Sequence, residues 1–240
     1  MILIVDNDKR MKTKGCENAI GFEDNKNDVE LLGIYHKDVN KFDGIEYYPN
    51  KKPNSSVYYV HPLNNKLYIE LTEYFSYLKE QRITELEQIA QDLGAKHFKV
   101  EIKEETLSNV SIKNKADAKL GVGKNKAGVS VEKENAQKVY ESIGIASELT
   151  YPGKDPVEPK LELWENNESI KNLIKQRLSS DNRLQSKTFR LAYNTSSGIK
   201  EREAAKIDGV LKSLKFSVGG SILNLAMNES KRIIEYTIDF

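Results

Sequence analysis

The chain is short of the residue types on which several kinds of protein are built. Its 240 residues include one cysteine, Cys16, one tryptophan and six prolines. A single cysteine excludes an internal disulfide framework and a cysteine-rich zinc site, and it fits a reducing compartment. No stretch approaches the roughly 18 apolar residues of a membrane-spanning helix. Met1 to Val5 is apolar, but Asp6-Asn7-Asp8 follows at once, so the basic start and the apolar run of about 7–15 residues of a secretory signal are both missing. These absences predict a soluble, cytoplasmic protein. An excess of charge is missing too: 37 Lys+Arg stand against 36 Asp+Glu, a net +1. That balance excludes a globally basic nucleic-acid binder and leaves room only for a local basic stripe.

Catalytic and metal motifs are also lacking. His36, His61 and His97 are the only histidines, and none stands at metal-ligand spacing from another. Asp6-Asn7-Asp8 starts like a calcium loop but lacks the glycine and the distal glutamate. Gly121-Val122-Gly123-Lys124 is followed by Asn125 where a phosphate loop needs Ser or Thr. Ser196-Ser197-Gly198 has no glycine two residues before the serine, as a nucleophile elbow requires. Glu104-Glu105 and Glu201 with Glu203 read as solvated strand and helix surface. No catalytic residue, cofactor or metal site is expected, and the chain reads as a non-enzyme.

The residues that are present predict an α+β fold. Apolar–polar alternation marks short strands at Ala19–Glu23, Leu31–Tyr35, Ile45–Tyr48, Val57–His61 and Lys66–Glu70, expected to form an antiparallel meander over residues 1–70 with its tyrosines half buried. The rest, 71–240, is expected to be an α+β core: a bent antiparallel sheet with long hairpins and three main helices. The first helix, 72–93, places Phe75, Leu78, Leu86, Ile89, Ala90 and Leu93 on one face, and Gly94 ends it. Helix 168–179 has Asn167 as N-cap, and helix 199–213 has Ser197 as its cap. Strands are expected at 97–112, 139–151, 187–194, 215–226 and 231–240, with Asn228-Glu229-Ser230 as the turn between the last two.

Residues 111–133 are compositionally unlike the remainder. Ala116, Ala118, Leu120 and Val122 alternate with Lys113, Lys115, Asp117 and Lys119, and Lys124 and Lys126 follow. Between residues 113 and 126 five lysines against Asp117 leave a local +4 in a chain otherwise near balance. Three readings compete: an exposed hairpin whose lysines guard a sheet edge, a strand pair that enters a membrane with Ala/Leu/Val outward, and a contact to nucleic-acid phosphates. The last is disfavoured by the absence of interleaved aromatics and arginines.

Tyr59-Val60-His61-Pro62, Leu93-Gly94-Ala95-Lys96, the lysine/alanine/glycine segment and Leu163-Trp164 together resemble an uncharacterised group of bacterial proteins over most of residues 57–240. The order of elements is also similar to the membrane-perforating cores of gasdermin and perforin-like proteins, in which long strands flank segments that become membrane hairpins. On that resemblance, strands 97–112 and 139–151 flank one such segment. Strands 187–194 and 215–226 flank a second, which contains helix 199–213. The expectation is a membrane-active or oligomerising bacterial effector that contacts an anionic membrane through Lys113, Lys115, Lys119, Lys124, Lys126, Ala116, Ala118, Leu120 and Val122, forms a homo-oligomer and associates with the membrane on activation. The alternative is a protein- or polyanion-binding module that uses the same lysines without membrane activity.

Overall fold

The computed structural model describes residues 1–5, 21–26, 29–37, 44–51, 55–109, 136–192, 198–216 and 220–240. They form an α+β fold with two sheets and four helices. The first sheet contains β1 (Ile2–Val5), β2 (Gly21–Lys26), β3 (Val29–Tyr35), β4 (Glu46–Tyr48), β5 (Val57–Val60) and β6 (Leu67–Glu70), in the spatial order β2-β3-β1-β5-β6-β4. It is not the expected antiparallel meander. β1 occupies an interior position, parallel to β3 and antiparallel to β5, and β4 is parallel to β6. The reason lies in Ile2-Leu3-Ile4-Val5: all four side chains are buried, Leu3 and Val5 in one cluster and Ile2 and Ile4 in another. A continuous apolar run of this kind suits a strand covered on both faces.

Helix α1 (Tyr74–Asp92) follows β6 and turns its apolar face inward as the periodicity predicts. Gly94 ends it at φ +74°, and a Cβ there would lie 2.0 Å from the Lys154 carbonyl oxygen, so no larger residue fits. The second sheet is antiparallel throughout, in the order β8-β7-β10-β9, from β7 (His97–Asn109), β8 (Ala136–Thr150), β9 (Ser186–Ala192) and β10 (Arg232–Asp239). Helix α2 (Glu168–Leu178) lies between β8 and β9 in the chain. Asn167 caps it, accepting the Ile170 N–H at 3.1 Å.

Helix α3 (Glu201–Ser213) starts after Lys200, which makes no side-chain cap; the expected cap, Ser197, lies outside the described residues. Residues 222–226 of the strand expected at 215–226 lie instead in helix α4 (Ile222–Ser230), which also takes in the expected turn Asn228–Ser230, and residues 217–219 lie outside the described residues. Its N-terminus is organised from a distance. Asp208 on α3 accepts the Ile222 and Leu223 N–H groups at 2.9 and 3.1 Å and the Ser221 hydroxyl at 2.6 Å, and Ser221 Oγ in turn accepts the Asn224 N–H. These bonds satisfy donors that the first turn of a helix leaves open. With α4 in that place, β9 pairs with β10 and not with a strand at 215–226.

Two main cores result. Leu3, Val57, Leu71, Tyr74 and Leu78 pack with Ile207, Leu211 and Ile222 of the C-terminal helices. Leu86, Ile89 and Leu93 pack with Trp164, Leu173, Phe98 and Tyr236. Helix α1 enters both, its first half in one and its second half in the other.

Candidate functional site

The second sheet has an apolar face and a polar face. Phe98, Val100, Leu191, Ile234, Tyr236 and Ile238 are buried, while Lys99, Glu101, Lys103, Arg190, Glu235 and Asp239 alternate with them on the other side. β10 pairs with β7 from His97 to Glu104, whereas β8 pairs with β7 as far as Asn109. The segments Glu105–Asn109 and Ala136–Tyr140 therefore continue as a two-stranded arm beyond the sheet. At about 3.3 Å per residue they carry it roughly 16 Å past the end of β10.

β8 is bulged twice. Ser147 pairs with Val100 and Ile145 with Glu101, leaving Ala146 over; Gly144 pairs with Ile102 and Ser142 with Lys103, leaving Ile143 over. Alternation through Ile143, Ile145 and Leu149 suggests one apolar face, but the extra residues break that register. Ile145 stands opposite Glu101 on the polar side, while Leu149 stands opposite buried Phe98. Bulges bend and twist the strand that bears them, and a contact at the base of the arm shows the effect. Arg190 Cζ lies 4.6 Å from the centre of the Tyr140 ring. Arg190 is on β9 and Tyr140 on β8, at opposite edges of the sheet, so the arm must lean across the polar face for the two to meet.

Arg190 is itself held in place. Its Nε donates to Glu235 Oε2 at 3.0 Å, and Lys103 Nζ donates to Glu235 Oε1 at 2.6 Å. The Lys103 ammonium first, and Arg190 after it, holds the Glu235 carboxyl below its ordinary range. At the other end of the polar face, His97 Nε2 faces Glu148 Oε1 at 3.0 Å and Nδ1 faces Asp239 Oδ2 at 3.2 Å. Hydrogen bonds to Glu148 and then Asp239 raise the His97 pKa. Ser186 Oγ donates to Asp239 Oδ1, and not to the imidazole. This row is not a nucleophile–base pair: the imidazole has a carboxylate on each nitrogen and no free lone pair for a hydroxyl or a metal. No group of His, Cys, Asp or Glu able to hold a metal occurs among the described residues.

Other candidates are occupied by structural duties. His61 Nδ1 accepts the Leu63 and Asn64 N–H groups, and Nε2 is 2.7 Å from Gln81 Oε1. Glu201 accepts from Ser230, and Glu203 from the Tyr59 hydroxyl, so these carboxylates do not act as a pair. A recess of about 440 Å³ between α1, α3 and α4 is lined by Phe75, Leu78, Arg82, Lys200, Glu201 and Glu229 among others. Glu229 Oε1 accepts from Arg232, burial raises its carboxyl above the ordinary range, and its Oε2 has no partner among the described residues. Its walls mix both charges and select no ligand class.

The nine residues named for membrane or polyanion contact (Lys113, Lys115, Lys119, Lys124, Lys126, Ala116, Ala118, Leu120 and Val122) all lie outside the described residues, as do Cys16 and Asp6–Asp8. What the structure supplies is their base: the two strands that lead to residue 109 and away from residue 136. Sequence reading missed the Tyr140–Arg190 contact and the His97–Asp239–Glu148 row, because their members are tens to more than a hundred residues apart and only strand pairing unites them. No described helix is long and apolar enough to cross a membrane. Compared with protein-family models, curated proteins and solved structures, the chain matches none.

Proposed function

We propose that this is a non-enzymatic, membrane-active protein of bacterial type, which uses the β7–β8 arm to bring residues 111–133 to an anionic membrane and works as a homo-oligomer. The observation that carries the reading is the arm: two strands run five residue pairs beyond the last rung shared with β10, toward the segment where lysines alternate with alanine, leucine and valine. Lysines near an anionic surface each contribute about 1 kcal/mol of attraction, and alternating small apolar side chains suit strands with one face in lipid.

Vesicle leakage tests it. Purified protein is expected to release dye from vesicles containing phosphatidylglycerol and to leave phosphatidylcholine vesicles intact. Deleting residues 113–132 is expected to abolish release while the unfolding midpoint is retained. Binding to vesicles or to heparin without release, weakened when the five lysines become glutamine and when salt is raised, would replace this reading with that of a polyanion-binding module. Absence of any lipid binding across several pH values overturns it.

A further inference from the structure

Among the described residues no strand pairs with the outer edge of β8, and that edge points to a partner. We propose that the protein, in the absence of lipid, is a two-fold dimer joined edge to edge through β8, with Gly144 of one copy opposite Gly144 of the other. This goes beyond the membrane reading, since it concerns the resting protein and needs no lipid.

A sheet edge offers unpaired N–H and C=O groups, and proteins usually blunt it with lysine, proline or a short strand. The two edges of this sheet are treated differently. β9 is seven residues long and carries Lys187 and Arg190. β8 is fifteen residues long, and from Val139 to Tyr151 it has no lysine, arginine or proline. In that stretch Ile143 and Ile145 are 52% and 56% exposed. Among the described residues its guards are the two bulges and the carboxylates of Glu141 and Glu148.

The strand matches its own reverse. With Gly144 on the axis, antiparallel pairing sets Ile143 of each copy against Ile145 of the other, Ser142 against Ala146, Glu141 against Ser147 and Tyr140 against Glu148. No like charges meet in that register. The bulge sets Ile143, with Ser142, against Lys103, and Ile145 stands opposite Glu101, so both lie toward the polar face and the four isoleucines cover one another around the axis. A Cβ at Gly144 would meet nothing within 4 Å, so the axis position is open to a close neighbour. The two four-stranded sheets then become one continuous antiparallel sheet. Pairing β8 with β9 of a second copy is the poorer match. It would set Ile143 and Ile145 against the edge that carries Lys187 and Arg190, whose head groups are already held by Gln176 and Glu235.

Sedimentation equilibrium of the full chain without lipid tests the proposal. Over the range from micromolar to about 100 micromolar, a monomer–dimer equilibrium is expected. Ile143→Lys with Ile145→Lys places four ammonium groups around the axis, and it is expected to weaken the dimer by about tenfold or more, with far-ultraviolet circular dichroism unchanged and the same thermal midpoint as wild type at dilutions where both are monomers. Gly144→Cys in a Cys16→Ser background is expected to oxidise to a disulfide-linked dimer, whereas Glu148→Cys in the same background is not. A monomer at every concentration, a dimer that survives the double lysine substitution, or growth into open filaments would each overturn it. Loss of leakage with the dimer intact would count against the membrane reading alone.

Discussion

His97 shows how much of the chemistry here is decided by strand pairing. Asp239 is opposite His97 in the register of β7 and β10, and Glu148 approaches from β8, so an otherwise ordinary half-buried histidine gains two carboxylates. Its pKa is raised by those partners and that of Asp239 is lowered, first by the Ser186 hydroxyl and then by His97. A raised histidine stabilises the fold fully below its unfolded value and loses the contribution as pH climbs through the folded value. A lowered aspartate stabilises above its unfolded value and loses the contribution as pH falls. The cluster is therefore most stabilising between the ordinary values of 3.8 for Asp239 and 6.5 for His97. Urea unfolding of wild type and His97→Gln is expected to show the larger gap near about pH 5.5 and a smaller one near about pH 9; an equal gap at both would mean that the imidazolium contributes nothing. Glu85 makes a similar point with backbone in place of charge. Its carboxylate accepts the N–H groups of Glu162, Leu163 and Trp164, fixing the turn that drops the Trp164 ring into the core and lets its Nε1–H reach the Arg82 carbonyl at 3.1 Å.

Among the elements, those whose reasons are local were legible in the sequence. Helix α1 has its buried face at helical spacing, its glycine stop and no competing pattern. The strands of the second sheet alternate, and Asn167 caps α2 as its position implies. Helix α4 was not legible, because it spans only nine residues and its cap depends on Asp208, thirteen positions before Ser221. The interior place of β1 was hidden for a related reason: four apolar residues state that both faces are covered but not which strands flank them. Of the candidate site, composition revealed the lysine-rich segment, and alternation revealed the strands on either side. The bulges that tilt the arm left no sign, since Ile143 and Ala146 look like ordinary strand residues. The resulting Tyr140–Arg190 contact should fasten the arm by about 0.5–1 kcal/mol, the usual worth of an exposed cation–ring pair. Replacing Tyr140 with serine is accordingly expected to speed amide exchange at Glu105–Asn109 about two- to fivefold, while Val100 and Tyr236 in the sheet interior exchange as before. It should also hasten dye release if the arm must swing free of the sheet to reach a membrane. Unchanged exchange in the arm would show that the contact holds nothing.

At the scale of the whole molecule, helix α1 joins what the chain order separates. Leu71, Tyr74 and Leu78 sit with the first sheet and the C-terminal helices, and Leu86, Ile89 and Leu93 sit under the second sheet. Residues from both ends of the chain thus share a core, with Leu3 and Val5 close to Ile207 and Ile222 in one cluster, and a nineteen-residue rod passes from that cluster to the other. A rod of this kind cannot lose its packing in one core without weakening its hold in the second, because helix ends fray more easily than helix middles break. Leu86 tests the coupling. It is fully buried, and its carbonyl accepts the hydroxyl of Tyr236 from the second sheet. Leu86→Ala removes three carbons from a closed site and should cost about 2–5 kcal/mol. Trp164 is the only tryptophan, so its emission reports the second core alone, while near-ultraviolet circular dichroism adds a tyrosine signal to which Tyr47, Tyr58 and Tyr68, packed on one another in the first sheet, contribute. Both signals are expected to shift to lower urea together and to trace one transition. If Trp164 emission moves and the tyrosine signal stays, the two cores fold separately, and α1 is a spacer between them with no share in their cooperativity.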